Sequence, residues 1–216
     1  ITAFCEKHPG ISLRIFMSDN VSDVFRDPVD VAIRYGVLEN SSYVALPLAE
    51  DNRRVLVASP SYLNKIGRPR QLDDLVLHHC LLYTLNGHVY DKWSFPENGV
   101  RRQLTVSSRM LCDDADLARR WAVAGMGIAY KSWIDVSADV LAGRLEVLLP
   151  EQPGEGVPLN LICPHRKQFS PAIRELHAQL REHLKAVTAL MHTHPAFVPG
   201  TQATLCLLYT SDAADD

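Results

Sequence analysis

The spacing of apolar and polar residues changes period repeatedly along this chain, and the changes mark out its elements. Residues 1–7 read as the last turns of a helix, ended by His8-Pro9-Gly10. In residues 11–16, Ile11, Leu13 and Ile15 alternate with Ser12, Arg14 and Phe16, the period of two that predicts a strand. The polar turn Ser18-Asp19-Asn20 then leads into a short helical piece carrying Val21, Val24 and Phe25. Residues 29–35 hold the near-continuous apolar set Val31-Ala32-Ile33, as expected of a strand covered on both faces, and stop at Gly36. Residues 43–48 and 53–58 predict two more strands. Ser59-Pro60 offers a side-chain cap followed by proline at the first helical position, and Ser170-Pro171 repeats the device. Residues 72–77 predict a short helix, 79–83 a strand, and 91–100 a loop-rich stretch around Trp93-Ser94-Phe95-Pro96.

The most complete unit is a strand, helix and strand within residues 106–133. Residues 106–111 are β-rich, and Asp113 or Asp114 supplies an oxygen for the unpaired N–H groups of a helix start. Leu117, Ala118, Trp121, Ala122 and Ala124 recur at helical spacing, with Arg119 and Arg120 on the other face. Gly125 ends that helix, Gly127 lets backbone pass close to backbone or ligand, and Ile128-Ala129-Tyr130 reads as a short buried strand. A Gly143 turn, a strand at 145–148, a Pro/Gly loop at 150–158 and a strand at 159–163 follow. The last helix, residues 171–187, carries Ile173, Leu176, Leu180, Leu184 and Val187 on one stripe. Strands and helices alternate throughout, which calls for an α/β fold with a largely parallel sheet, or two such sheets.

Composition narrows the chemistry. A hydrophobic content of 47% supports a buried core, and no apolar run reaches the roughly 20 residues needed to span a bilayer. Lys and Arg total 22 against 25 Asp and Glu, so the net charge of -3 offers no electrostatic footprint for nucleic acid. Five cysteines stand without any C-x-x-C spacing, which argues against a zinc site and for a reducing compartment; Cys80 and Cys112 are the pair that could approach across a sheet. Asp113 and Asp114 are adjacent but are better used as helix caps than as paired acid and base. His78-His79 flank a strand, and His192-Thr193-His194 falls in a tail expected to lie outside the fold. No G-x-S-x-G or Walker-type loop occurs, and Gly125-x-Gly127 is too short for a dinucleotide fingerprint. A binding role needs less: a cleft, a few convergent polar groups and a hinge.

In chain order the segments HPGISLRI, SDN, DVAIRYG, RRVLVASPSYL, LDDLVLHHCL, WSF, the Asp113-Asp114 helix start with AVAGMGIA, AGRLEVLL and SPAIRELHAQL resemble the effector-binding domain of LysR-type transcriptional regulators. The resemblance runs from Phe4 to about Leu184. It implies a two-lobe α/β fold of periplasmic-binding-protein type II, with parallel-rich sheets and helices on both faces. One lobe would hold residues 1–78 with 164–187 and the other 79–163. By the same resemblance the ligand cleft would be lined by Ser18, Asp19, Asn20, Arg34, Tyr35, Thr84, Leu85, Asn86, Cys112, Asp113, Asp114, Gly127, Ile128 and Lys131. Many family members carry Asn where Asp113 stands, so the effector is expected to be neutral or amine-bearing, with Arg34 and Lys131 weighing the other way.

The implied whole is a cytoplasmic regulator that is not an enzyme, uses no cofactor or metal, and forms a homodimer or tetramer. It would bind DNA only through a helix-turn-helix domain, which, with a linker helix and a first sheet strand, would precede Ile1; the chain reads as a fragment. The alternative from another class is an extracytoplasmic solute-binding protein of the same architecture. Residues 188–205 read as a tail. CLLYTSDAADD at residues 206–216 looks like a translated transposon-derived sequencing adapter, and without its three aspartates the acidic count is 25 - 3 = 22 and the net charge 0.

Overall fold

The computed structural model describes residues 1–17, 29–36, 44–85, 87–97, 99–163 and 170–197. After helix α1 (Thr2–Lys7) come strands β1 (Ala32–Tyr35), β2 (Val44–Ala49) and β3 (Arg54–Ala58), helix α2 (Pro60–Ile66) and a 3-10 turn at Leu72–Leu77. Strands β4 (Cys80–Leu85), β5 (His88–Val89), β6 (Lys92–Glu97), β7 (Val100–Thr105) and β8 (Met110–Cys112) follow. Then come α3 (Ala115–Val123), β9 (Ile128–Ser132), α4 (Trp133–Leu141), β10 (Glu146–Leu148), β11 (Leu159–Cys163) and α5 (Pro171–Thr193), with a last 3-10 turn at Pro195–Phe197.

The strands form the expected two-lobe α/β architecture. One sheet is β1-β11-β2; the second runs β10-β3-β9-β4-β5 with β8 also on β4; β6 and β7 make a hairpin. Parallel pairing centres on β4, which meets β8 and β9 in that sense, whereas the other described pairs are antiparallel. The two caps behave as read: Ser59 Oγ accepts from Tyr62 N at 3.3 Å and Ser170 Oγ from Ile173 N at 3.3 Å.

Several expectations change. Hydrogen bonding sets β3 between β9 and β10, so residues 53–78, expected in the first lobe, begin the second sheet and its helices. The physical reason is burial. All five residues of β3 are buried, and Leu56 and Ala58 face Tyr62, Leu63, Leu82 and Ile128, while Val55 and Val57 face Leu81, Ala129 and Trp133. Residues 91–100 are not a loop but the β6-β7 hairpin; Trp93 and Phe95 lie in the core, and Gly99 just before β7 takes a φ of 77°. Helix α4 was not anticipated from the sequence. Residues 11–16 form no ladder among the described residues, and Leu13, Ile15 and Phe16 stay exposed, because a strand pattern needs a neighbouring edge to become a strand.

The tail expected from residue 188 onward instead continues α5. Thr188 and Met191 are buried, and His194 and Phe197 set their rings edge-on to Trp133 at 6.1 and 5.7 Å. Helix α5 therefore spans two cores. Leu184 packs with Leu48, Leu159 and Leu161 of the first sheet, Met191 with Val55, Val57 and Trp133 of the second, and Trp133 Nε1 donates to Val187 O at 2.8 Å. Arg119, assigned to the outer face of α3, reaches the buried Asp139 of α4, which also takes Arg144.

Gly127 sits where β9 starts beside β4, and a Cβ built there would stand 2.3 Å from His79 O. Backbone cannot yield as a flexible side chain does. Gly127→Ala is expected to destabilise the fold by about 2–3 kcal/mol, measured by urea unfolding, through overpacking against a main-chain oxygen.

Candidate functional site

The site is set by two chain segments that leave and re-enter the first sheet. Residues 50–53 carry the chain from β2 into β3, and residues 153–158 bring it back from β10 towards β11. They pair with each other: Arg54 N donates to Glu155 O at 3.0 Å, Val157 N donates to Asn52 O at 2.8 Å, and Arg53 bridges Gly156. Asn52, with no exposed surface, completes the junction. Its Nδ2 donates to Val157 O at 2.8 Å and Ser132 Oγ at 3.0 Å, and its Oδ1 accepts from Ile134 N at 3.4 Å. A single amide on the first crossover thus satisfies groups from the second crossover and from the join of β9 and α4.

At this junction the ends of β1 and β9 meet. Tyr35 Oη donates to Asp135 Oδ1 at 2.8 Å, and Asp135 Oδ2 pairs with Lys131 Nζ at 3.1 Å. Lys131 Nζ also lies 5.0 Å from the Tyr83 ring centroid, so the ammonium is held between a carboxylate and a π face. Ser132 Oγ has one proton to give and two acceptors in reach at 3.3 Å, Tyr35 Oη and Asn52 Oδ1. Burial, then the neighbouring Asp135 charge, push the Tyr35 hydroxyl above its ordinary range, although the residue as a whole keeps 40% of its surface exposed.

Beside this set lies a second polar cluster. Arg54, 7% exposed, donates from Nη1 to Tyr83 Oη at 2.8 Å and from Nε to Glu155 Oε1 at 3.2 Å, with its guanidinium 4.4 Å from the Tyr90 ring centroid. Tyr90 also donates to Glu155, and Arg101 holds the other Glu155 oxygen. Burial works against the Arg54 cation, but the Tyr83, Tyr90 and Glu155 oxygens around it more than offset that and raise its pKa. Sequence reading missed this cluster. Its signal was only a doubled Arg before an apolar strand, and the Glu155 partner stands about 100 residues away in a loop.

The residues expected in the cleft divide by position. Tyr35 and Lys131 meet through Asp135. Arg34 is half-buried on β1 opposite Asn160, and Thr84 and Leu85 are half-buried at the end of β4 opposite Val89 and His88. Cys112 lies in register with Tyr83, so the end of β8 adjoins the Tyr83–Lys131 contact. Asp113 is exposed, and Asp114 caps α3, accepting from Asp116 N at 2.7 Å. Gly127 and Ile128 stand at the other end of β9 from Lys131, buried against β4, where they pack rather than face the junction. Ser18, Asp19, Asn20 and Asn86 lie outside the described residues.

Cys80 pairs in register with Ile128 and Cys112 with Tyr83, three positions along β4, which separates them by roughly 10 Å of strand; both are free thiols. Burial pushes the Cys80 thiol up to about 12 and also raises Cys112. No group of three or more His, Cys, Asp or Glu that could hold a metal ion occurs among the described residues.

Two α/β lobes joined by paired crossovers, with polar groups gathered at the junction, define a bilobal domain of the type II periplasmic-binding-protein class. Residues 1–185 match the family described as the LysR substrate binding domain, and the chain belongs to it. It is similar to the HTH-type transcriptional regulator DmlR of Escherichia coli K12, 30% identical over 151 residues that make up 70% of this chain and 49% of that protein. It is also similar to the HTH-type transcriptional regulator CrgA of Neisseria meningitidis serogroup C, 31% identical over 174 residues, 80% of this chain and 57% of that one. Among solved structures the CrgA regulatory domain from N. meningitidis aligns with a TM-score of 0.74 at 28% identity, covering 85% of this chain and 89% of that one. The effector domain of AmpR from Pseudomonas aeruginosa, at 21% identity and a TM-score of 0.65, shares the fold. The chain spans about half the length of curated relatives it matches, 49% of DmlR and 48% of the E. coli activator TtdR.

Removing the Asn52 amide takes a partner from Val157 O on the second crossover and from Ser132 Oγ and Ile134 N at the join of β9 and α4, whereas removing the Tyr35 hydroxyl frees one carboxylate oxygen near solvent. Asn52→Ala is expected to lower stability by about 2–4 kcal/mol and Tyr35→Phe by only about 1 kcal/mol, both measured by urea unfolding.

Proposed function

We propose that this chain is the ligand-sensing and oligomerisation part of a cytoplasmic bacterial LysR-type regulator, not an enzyme. The observation that carries the reading is the Tyr35–Asp135–Lys131 chain, which joins the end of a first-sheet strand to the second sheet at the crossovers. An effector entering there would meet Arg34, Thr84, Leu85 and the start of α3, with Ser18, Asp19, Asn20 and Asn86 completing the cleft. Binding that favours one lobe arrangement over another would shift the packing of a homodimer or tetramer. It would so reposition DNA-binding domains carried outside these residues, by no more than the ligand's difference in affinity between the two states.

The charge arrangement favours a neutral or amine-bearing effector in this cleft. Lys131 is already answered by Asp135, while Asp113 keeps an exposed carboxylate at the start of α3. Asp113→Asn is expected to weaken an amine-bearing effector about three- to tenfold, read by calorimetry, the size of one partly screened charge interaction. Equal affinity in both proteins would remove Asp113 from the site.

The regulator reading itself is tested by recovering the coding DNA upstream of Ile1. A helix-turn-helix followed by a linker helix supports it. A signal peptide running straight into the first strand overturns it in favour of a solute-binding protein.

A further inference from the structure

Among the described residues three carboxylates, those of Asp135, Asp139 and Glu155, take part in the ion pairs of the buried side chains Lys131, Arg54 and Asp139, and two of them meet a cation on each oxygen. Asp139 receives Arg119 on Oδ2 and Arg144 on Oδ1, and Glu155 receives Arg54 on Oε1 and Arg101 on Oε2. Asp135 is the exception. Lys131 Nζ holds its Oδ2 at 3.1 Å, but its Oδ1 accepts from the neutral Tyr35 hydroxyl, at 2.8 Å, and from no cation among the described residues. It is also the most open of the three, with 30% of its side chain exposed against 3% for Asp139 and 20% for Glu155. A solute can therefore reach this carboxylate.

We infer that Asp135 Oδ1 is a binding position for the ammonium group of a primary amine, which takes the place of the Tyr35 hydroxyl. The exchange replaces a neutral donor by a charged one, and hydrogen bonds of that kind are roughly twice as strong. Asp139 and Glu155 each stand between two cations, so Lys131 on the other oxygen does not bar a second one here. Lys131 itself displays the setting in which this fold holds an ammonium: the Asp135 carboxylate on one side and the Tyr83 ring centroid 5.0 Å away on another. Tyr35 ends a strand of the first sheet, whereas Asp135 and Lys131 both belong to the second lobe. A ligand that takes Oδ1 therefore also loosens a link between the lobes, leaving the Tyr35 hydroxyl its contact with Ser132 Oγ at 3.3 Å. The site rests on the cleft reading above and gives an amine-bearing effector both an acceptor and a means of acting on the lobes.

Calorimetric titration of the chain with n-butylammonium tests the site, with 1-butanol as the probe that donates without charge. The ammonium should bind about tenfold more tightly or better. Tyr35→Phe removes the competing donor and should tighten it about three- to tenfold, the worth of one hydrogen bond. Asp135→Asn combined with Lys131→Met removes the acceptor without leaving a buried ammonium unpaired, and should weaken it about tenfold or more. A merely structural role for Tyr35 would move both variants in the same direction, and Tyr35→Phe decides by itself if the double variant does not fold. No heat with n-butylammonium at millimolar concentration, equal binding of butanol, or unchanged or weaker binding in Tyr35→Phe would each overturn the site. Amine binding that falls in Asp113→Asn but does not move in Tyr35→Phe would overturn it while leaving the cleft reading in place.

Discussion

The constraint on which the rest depends is that two crossover segments must run side by side without leaving backbone groups unpaired. Extended chain passing between two lobes has no helix of its own to satisfy its N–H and C=O groups. Here the segments satisfy each other through Arg54 N to Glu155 O and Val157 N to Asn52 O, and the buried Asn52 amide meets what remains. Once the crossovers are fixed as a pair, β3 must enter the second sheet, and β9 must end at Ser132 where the same amide receives it. The ends of β1, β4, β8 and β9 are then brought near one another, and the polar junction results from this topology rather than from any local motif.

The apolar faces decide how rigid each side is. β3 and β9 are buried on every residue, with separate clusters above and below, so the second sheet is a closed core. Among the described residues the first sheet has three short strands, of which β1 leaves alternate residues exposed and β2 is open over its first half. Helix α5 links them, with Leu184 on one core and Met191 on the other, and Trp133 tied to its backbone. A buried Leu, Met or Trp contributes about 2–3 kcal/mol, so this helix holds the two lobes together more strongly than the polar junction does. Polar contacts at the junction are individually near 1 kcal/mol. That ordering leaves the junction adjustable while the hinge side stays fixed.

Much of this was legible in the chain, and the exceptions share a cause. Periodicity located β1, β2, β3, β11 and α5 because each has an apolar face of the right spacing, and the Ser-Pro caps and the α3 start were readable because capping is local chemistry. The β6-β7 hairpin was missed although Asn98-Gly99 marks it; Pro96 and the polar run at residues 97–103 outweighed the turn signal, and of its apolar residues only Trp93 and Phe95 are deeply buried. The lobe boundary was misplaced because a strand's sheet membership is a long-range property: the residues facing Arg54–Ala58 lie about 75 to 90 positions later. The end of α5 was read as tail because the polar run His192-Thr193-His194 and Pro195 follow closely, yet Met191 and Phe197 find Trp133. In the site, Tyr35 and Lys131 were named, but Asp135, which holds both, and Asn52, Arg54 and Glu155 beside them carry no pattern a sequence reader could use.

Buried charge in the second lobe is matched by opposite charge at contact distance. Lys131, Arg54 and Asp139 are all buried, and each has an opposite charge at contact distance: Asp135, Glu155, and Arg119 with Arg144. Around them burial pushes the hydroxyls of Tyr35, Tyr90 and Tyr130 above their ordinary range, so these groups stay protonated and serve as hydrogen-bond donors. What such pairs do supply is a set of positions that must be matched whenever the lobes move, since a buried ion that loses its partner is costly. Tyr35 bridges onto one of these pairs from the other sheet through a single hydrogen bond. Rotation of the lobes can break that bond without uncovering Lys131, because Asp135 and Lys131 both belong to the second lobe and travel together. In the sensing role proposed above, two lobe arrangements would then differ by little energy at the junction, which is the condition for a ligand of modest affinity to select between them.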